Sequence, residues 1–155
     1  MSRAFLRHTL ATVAYRGGKA VRDVPEDFGL CCAGTESRSA GEILAHIGDL
    51  YDWALSLAMG EQKWDPRPPR EWAADVNRFH DGLRALDAYL ASDAPLGCTP
   101  EELFQGPIAD SLTHIGQIAL LRRLASVPVK AENYFRAKIV AGRLGPDQAK
   151  AVREF

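Results

Sequence analysis

Along the chain, apolar residues recur at alternating steps of three and four in four separate stretches. The cleanest is Trp72, Val76, Phe79, Leu83, Leu86 and Leu90, the spacing that keeps one stripe of an α-helix against a core. Leu6, Leu10, Val13, Gly17 and Ala20 predict a first helix from about Ser2 to Ala20. Ile43, His46, Leu50, Trp53 and Leu57 predict a second, ended by Gly60. Ser111, His114, Ile118, Leu121 and Ala125 predict a fourth, closed by Pro128. Two of these inward seams carry a histidine where an aliphatic residue is expected.

Local signals set the boundaries. Ser39 followed by Glu42, and Thr99 followed by Glu102, match the capping box, in which each side chain bonds the other's backbone N–H. Pro100 suits a first helical position, and Gly106-Pro107 breaks that short helix just before the fourth long one. "DVPEDFGLCCAGTESR" reads as an irregular connection and "WDPRPPR" as a stiff one. "ENYFRAKIVAGRLG" predicts a short fifth helix ended by Gly142. No stretch alternates as a strand does. The pattern therefore predicts an all-α fold: a four-helix bundle with a short C-terminal helical extension, in one domain over residues 1–155. Helix order and handedness stay open.

Composition narrows the function classes. Nineteen Lys+Arg against twenty Asp+Glu leave a net charge of −1 over 155 residues, with no concentrated basic face. That argues against a nucleic-acid or membrane-surface partner. The N-terminal stretch, interrupted by Arg3, Arg7 and Arg16, does not read as a signal peptide, and no apolar run is long enough to span a bilayer. Cys31, Cys32 and Cys98 have no metal spacing and read as reduced thiols of a cytoplasmic protein.

"LAHIGDL" (44–50) and "LTHIGQI" (112–118) share His-Ile-Gly, and each His follows a carboxylate by four residues: Glu42 before His46, Asp110 before His114. Residues four apart sit about 40° apart on a helix, so each pair shares a face. Glu42 already has a capping role, and Asp110 falls in a first turn, where a carboxylate is favoured by the helix dipole. Two imidazoles from different helices plus Asp110 can converge on one divalent ion. Three such ligands leave a position open, as in catalytic sites. A di-iron carboxylate centre needs Glu-x-x-His pairs and a Glu on each of two other helices; the first helix has no acid before Asp23, so that alternative fails. Gly48 and Gly116 lie about 200° around the helix from their histidines, which points to a close-packed neighbour or a subunit contact, and with it a homodimer. His8 reads as a boundary residue and His80 as solvent-facing.

The stretches "EILAHIGDLYDWAL" (42–55) and "DSLTHIGQIALLRRLASVPV" (110–129), with "ENYFRAKIVAGRLGPDQ" (132–148), resemble the DinB/YfiT-like metalloenzyme family over most of the chain. The resemblance implies a helical bundle holding one divalent metal ion, nickel or zinc, through one His of the second helix and a His-x-x-x-His pair of the fourth. Carried over, the single His is His46 and the second member of the pair is His114. The first member falls on Asp110, a shorter, anionic ligand that departs from the family's pattern. The resemblance further implies thiol transfer to an electrophilic small molecule, with hydrolysis second.

Two functional readings follow. In one, His46, Asp110 and His114 hold a metal ion in an enzyme acting on a small molecule, with Trp53, Gln117, Asn133 and Tyr134 as candidate pocket residues. In the other, the same trio is a metal-free hydrogen-bonded network inside a non-catalytic bundle that binds a ligand or dimerises.

Overall fold

A computed structural model describes residues 2–155. Its helices are α1 (Arg3–Val21), α2 (Ala40–Met59), α3 (Trp72–Ala91), the single turn α4 (Pro100–Leu103) and α5 (Ala109–Leu124). The expected boundaries hold at the N-termini. Ser2 accepts the Phe5 N–H, and Ser39/Glu42 and Thr99/Glu102 form reciprocal capping boxes, with Pro100 in the first turn of α4. Gly60 ends α2 at φ +84°, a conformation open to glycine without steric cost.

The four long helices pack in a square: α1 touches α3 and α5, α2 touches the same two, and α1 and α2 lie across a diagonal. Contacts along each pair fix the directions. Arg7 pairs with Asp87 while Gly17 meets Phe79, so α1 and α3 are antiparallel. Arg78 reaches the Ala45 carbonyl and Gly82 lies on Tyr51, so α2 and α3 run parallel. His46 stands beside His114 and Tyr51 bonds Ser111, so α2 and α5 are antiparallel. The order is up-down-down-up, which resolves what the periodicity leaves open.

Parallel neighbours need a return path. A 20-residue α2 is about 30 Å long, and the chain between it and α3 must run back along that length. Residues 60–71 do so without helix, held extended by Pro66, Pro68 and Pro69. Ser56 Oγ accepts the Lys63 N–H at 2.9 Å, and Asp49 Oδ1 accepts the Arg67 N–H at 3.2 Å. The segment is a strap laid on α2.

The core is built from Leu6, Leu10, Phe79, Leu83, Leu86 and Ile118, all fully buried. On α2 the innermost line is Leu44, Ile47, Tyr51, Ala54 and Ala58, one position round from the seam that periodicity predicts. His46 and Trp53 accordingly flank the core and keep partial access to solvent.

The expected fifth helix does not form. Residues 132–155 contain one 3-10 turn, Tyr134–Arg136, and an isolated antiparallel bridge between Glu132 and Glu154. The tail is anchored at separated points that an extended chain can reach. The buried Glu132 carboxylate accepts from Tyr15 Oη at 2.6 Å and Lys19 Nζ at 2.8 Å, and Lys19 also pairs with Glu154. Leu144 inserts into the core. Phe135 and Val140 stay exposed instead of forming a helical stripe. No helix among the described residues is long and apolar enough to cross a membrane.

Candidate metal centre

The loop before α5 determines where Asp110 falls. Gly106 precedes Pro107, and the proline ring bars it from ordinary helical backbone; it adopts φ −85°, ψ −106°. The chain makes one wide turn over Phe104–Ile108 and re-enters regular helix at Ala109. Asp110 thus lies in the first turn of α5, with His114 one turn further. Opposite, the antiparallel α2 presents His46.

The three predicted residues come together. His46 Nε2 is 3.7 Å from Asp110 Oδ2, and His114 Nδ1 is 3.3 Å from Asp110 Oδ1. The imidazole centroids are 4.7 Å apart. One donor atom from each residue lies within 4.8 Å of the other two. A tetrahedral zinc site with bonds of 2.0–2.2 Å has ligand atoms roughly 3.3–3.6 Å apart, so a shift of about 1 Å closes the set. The donor chemistry, two imidazoles and a carboxylate, fits a borderline divalent ion. Side-chain exposures of 20% for His46, 44% for Asp110 and 11% for His114 leave the carboxylate side open to solvent.

Protonation favours ligation. The Asp110 carbonyl lies 2.9 Å from His114 Nδ1. A carbonyl only accepts, so Nδ1 carries the proton, and in the neutral ring the lone pair is on Nε2, the outer-shell arrangement common to metal-binding histidines. Burial pushes His46 below its ordinary value, reinforced by His114 and Arg38 and opposed by Asp110 and Asp49. His46 is therefore neutral at pH 7.

Neighbouring side chains hold this geometry, among them Ser111 and Trp53 of the expected seams and Tyr51, Trp64 and Arg78 outside them. Tyr51 Oη and Ser111 Oγ are 2.6 Å apart, and Ser111 in turn donates to the Ile108 carbonyl. This buried pair fixes the register of α2 on α5. The strap sets Trp64 edge-to-face on His46 at 5.8 Å, and Trp53 packs on Trp64 at 5.6 Å. Arg78 of α3 donates from Nη2 to Asp49 Oδ1 and Asp52 Oδ2, both at 2.6 Å, and from Nη1 to the Ala45 carbonyl. It thereby grips α2 over the turn that carries His46. For the strap, the sequence signal is the proline-rich connector carrying Trp64.

The remaining candidates separate. Glu42 is spent on its cap, bonding the Ser39 N–H at 2.7 Å. Gln117 lines a hollow beside His114. Tyr134 lines a different hollow with Arg16 and Gly116, and Asn133 lies at the base of the same tail turn. His80, expected to face solvent, is buried at 2% exposure beneath the tail, its Nδ1 on the Leu144 carbonyl at 2.7 Å. The tail covers the flank of α3 that periodicity leaves outside. His8 is exposed.

The two glycines have different surroundings. A Cβ at Gly48 would stand 3.0–3.1 Å from the Arg78 guanidinium, so this glycine makes room for the clamp. Gly116 meets nothing within 4 Å. The shared His-Ile-Gly has no common packing cause.

Compared with protein-family models, curated proteins and solved structures, the chain finds no match. The functional reading rests on the geometry.

Proposed function

We propose that this protein is a divalent-metal-dependent enzyme acting on a small molecule, in the manner of the DinB/YfiT-like metalloenzymes its motifs resemble. The observation that carries the reading is the convergence of His46, Asp110 and His114, from two helices, within 4.8 Å and open on one side. His46 and His114 would supply neutral nitrogen ligands and Asp110 an anionic oxygen. The bound ion, zinc or nickel, would supply Lewis acidity, which generates a nucleophile from water or a thiol at neutral pH.

The chain's own residues then have defined tasks. The Asp110 carbonyl orients His114, Trp64 shields one side of His46, and the exposed edge of Asp110 leaves an approach for substrate. Thiol transfer to an electrophile is the first chemistry to screen and hydrolysis the second. A cytoplasmic setting with reduced cysteines belongs to this reading, and all three thiols are free. The exposed α5 residues Gly116 and Leu124 are the basis for a homodimer.

The test is metal content of purified, chelator-free protein by elemental mass spectrometry, with zinc and nickel titration, beside His114→Ala. About one ion per chain, lost in the variant, supports the assignment. No metal and no uptake on addition would leave the trio a hydrogen-bonded network in a non-catalytic bundle.

A further inference from the structure

Next to the triad, the groove between α2 and α5 and the loop before α2 enclose a hollow of about 350 Å³, within the range of small-molecule sites. His114 forms part of its wall, so an occupant sits against a candidate metal ligand. Ile43, Leu120 and Leu121 make the wall mostly apolar, and Arg38 and Gln117 supply its polar groups. Leu120 is exposed despite being a large aliphatic residue.

Arg38 is the informative member. Every other arginine that lines a hollow beside α2 is engaged by a carboxylate: Arg67 by Asp52, Arg70 by Asp75 and Arg78 by Asp49 and Asp52. Arg38 stands at the hollow with no ion pair or side-chain hydrogen bond among the described residues; the Glu42 carboxylate, held in its cap, attracts it only from a distance. A cation at one point of an apolar wall, with a metal ligand at another, specifies a molecule with an anionic group, an apolar body and a reactive group.

We propose that this hollow is the substrate subsite and that it takes a small organic carboxylate. Its acid group pairs with Arg38, and its apolar body lies on Ile43, Leu120 and Leu121. At about 30 Å³ per water-sized unit the hollow accommodates on the order of ten non-hydrogen atoms. The orientation places the far end of the molecule at His114. Gln117, one turn beyond His114, can donate to a second oxygen of the acid or to a polar substituent. This assignment rests on the metal-enzyme reading for its catalytic meaning, and its binding test is independent of that reading.

The test uses 3-phenylpropanoate as probe, with 3-phenylpropanol and 3-phenylpropylamine as neutral and cationic counterparts. Titrations followed by NMR use the full chain, with and without zinc, in the parent protein, Arg38→Gln, Leu120→Asp and His114→Ala. Both Arg38 and Leu120 are exposed, so the fold survives their replacement. The acid is expected to bind about tenfold tighter than the alcohol or amine, the worth of a charged hydrogen bond. Arg38→Gln abolishes that preference with zinc uptake unchanged, and Leu120→Asp, which replaces apolar wall by an anion, weakens the acid and the alcohol. Equal binding of acid and alcohol, insensitivity to Arg38→Gln, or no binding at all overturns the proposal. So does an acid preference that survives Arg38→Gln but is lost in His114→Ala, since the acid would then be bound by the ion. Arg38-dependent binding in a protein that takes up no metal would sustain the subsite and refute the metal enzyme.

Discussion

Replacing Arg78 by methionine tests how the candidate site is held. Methionine keeps much of the aliphatic volume and removes the guanidinium, which leaves the Asp49 carboxylate, only 4% exposed, with one remaining partner, the Arg67 N–H. Asp52 is 44% exposed and reverts to water at little cost. The loss is therefore that of one broken buried pair, about 3–5 kcal/mol, plus a second hydrogen bond to the Ala45 carbonyl, which keeps its helical partner. With a urea slope near 2 kcal/mol/M, the unfolding midpoint falls by roughly 1.5–2.5 M. Urea melts followed by circular dichroism measure it. The double variant Asp49→Asn, Arg78→Met removes the stranded charge and should recover at least about 1 kcal/mol of the loss, a coupling that independent sites would not show. A single-variant loss below about 1 kcal/mol, or a double variant no more stable than Arg78→Met, would refute the clamp.

Burial holds His80 below its ordinary value of 6.5, with the Leu144 bond only partly offsetting it. The unfolded chain then takes up this proton first, so the contribution to stability is complete above about pH 6.5 and is lost as pH falls below it. Parent protein should lose more stability between pH 7.5 and 5.5 than His80→Gln, and equal losses would count against the buried neutral ring. Gly82→Ala drives a methyl to 2.7 Å from Tyr51 Cβ and should cost about 1–3 kcal/mol, whereas Gly116→Ala, in open space, should gain about 0.5–1 kcal/mol; thermal melts of the pair check both signs. Trp64→Ala should lower zinc affinity about tenfold without changing stoichiometry, and nickel should quench Trp64 fluorescence in the parent; unchanged affinity and no quenching would separate the strap from the site.

The bundle and the trio were legible because each has a local signature. A 3.5-residue alternation announces four helices, and an Asp four residues before a His announces a shared face. The α2 seam was misplaced by one position because Ala54 and Ala58 are apolar but small, so Leu50, Trp53 and Leu57 dominate the pattern. Arg78 was invisible for a related reason: a charged residue at the edge of a seam reads as solvent-facing until Asp49 and Asp52 are known to stand opposite. The tail misled in another way. "ENYFRAKIVAGRLG" reads as a helix ended by Gly142, but the conformation of the tail is set by Tyr15, Lys19 and His80, which are distant in sequence. Helix direction, and with it the need for a strap, depends on tertiary packing that no local pattern records.

The parallel pairing of α2 and α3 also has a kinetic side. Asp110 and His114 share one helix and are juxtaposed as soon as α5 coils, an event of microseconds or less. His46 joins them only after the chain has rounded α3, crossed a diagonal and passed the kink at Gly106. A site closed by that long-range step should mature among the last parts of the molecule. Added metal would then slow unfolding much more than it hastens folding.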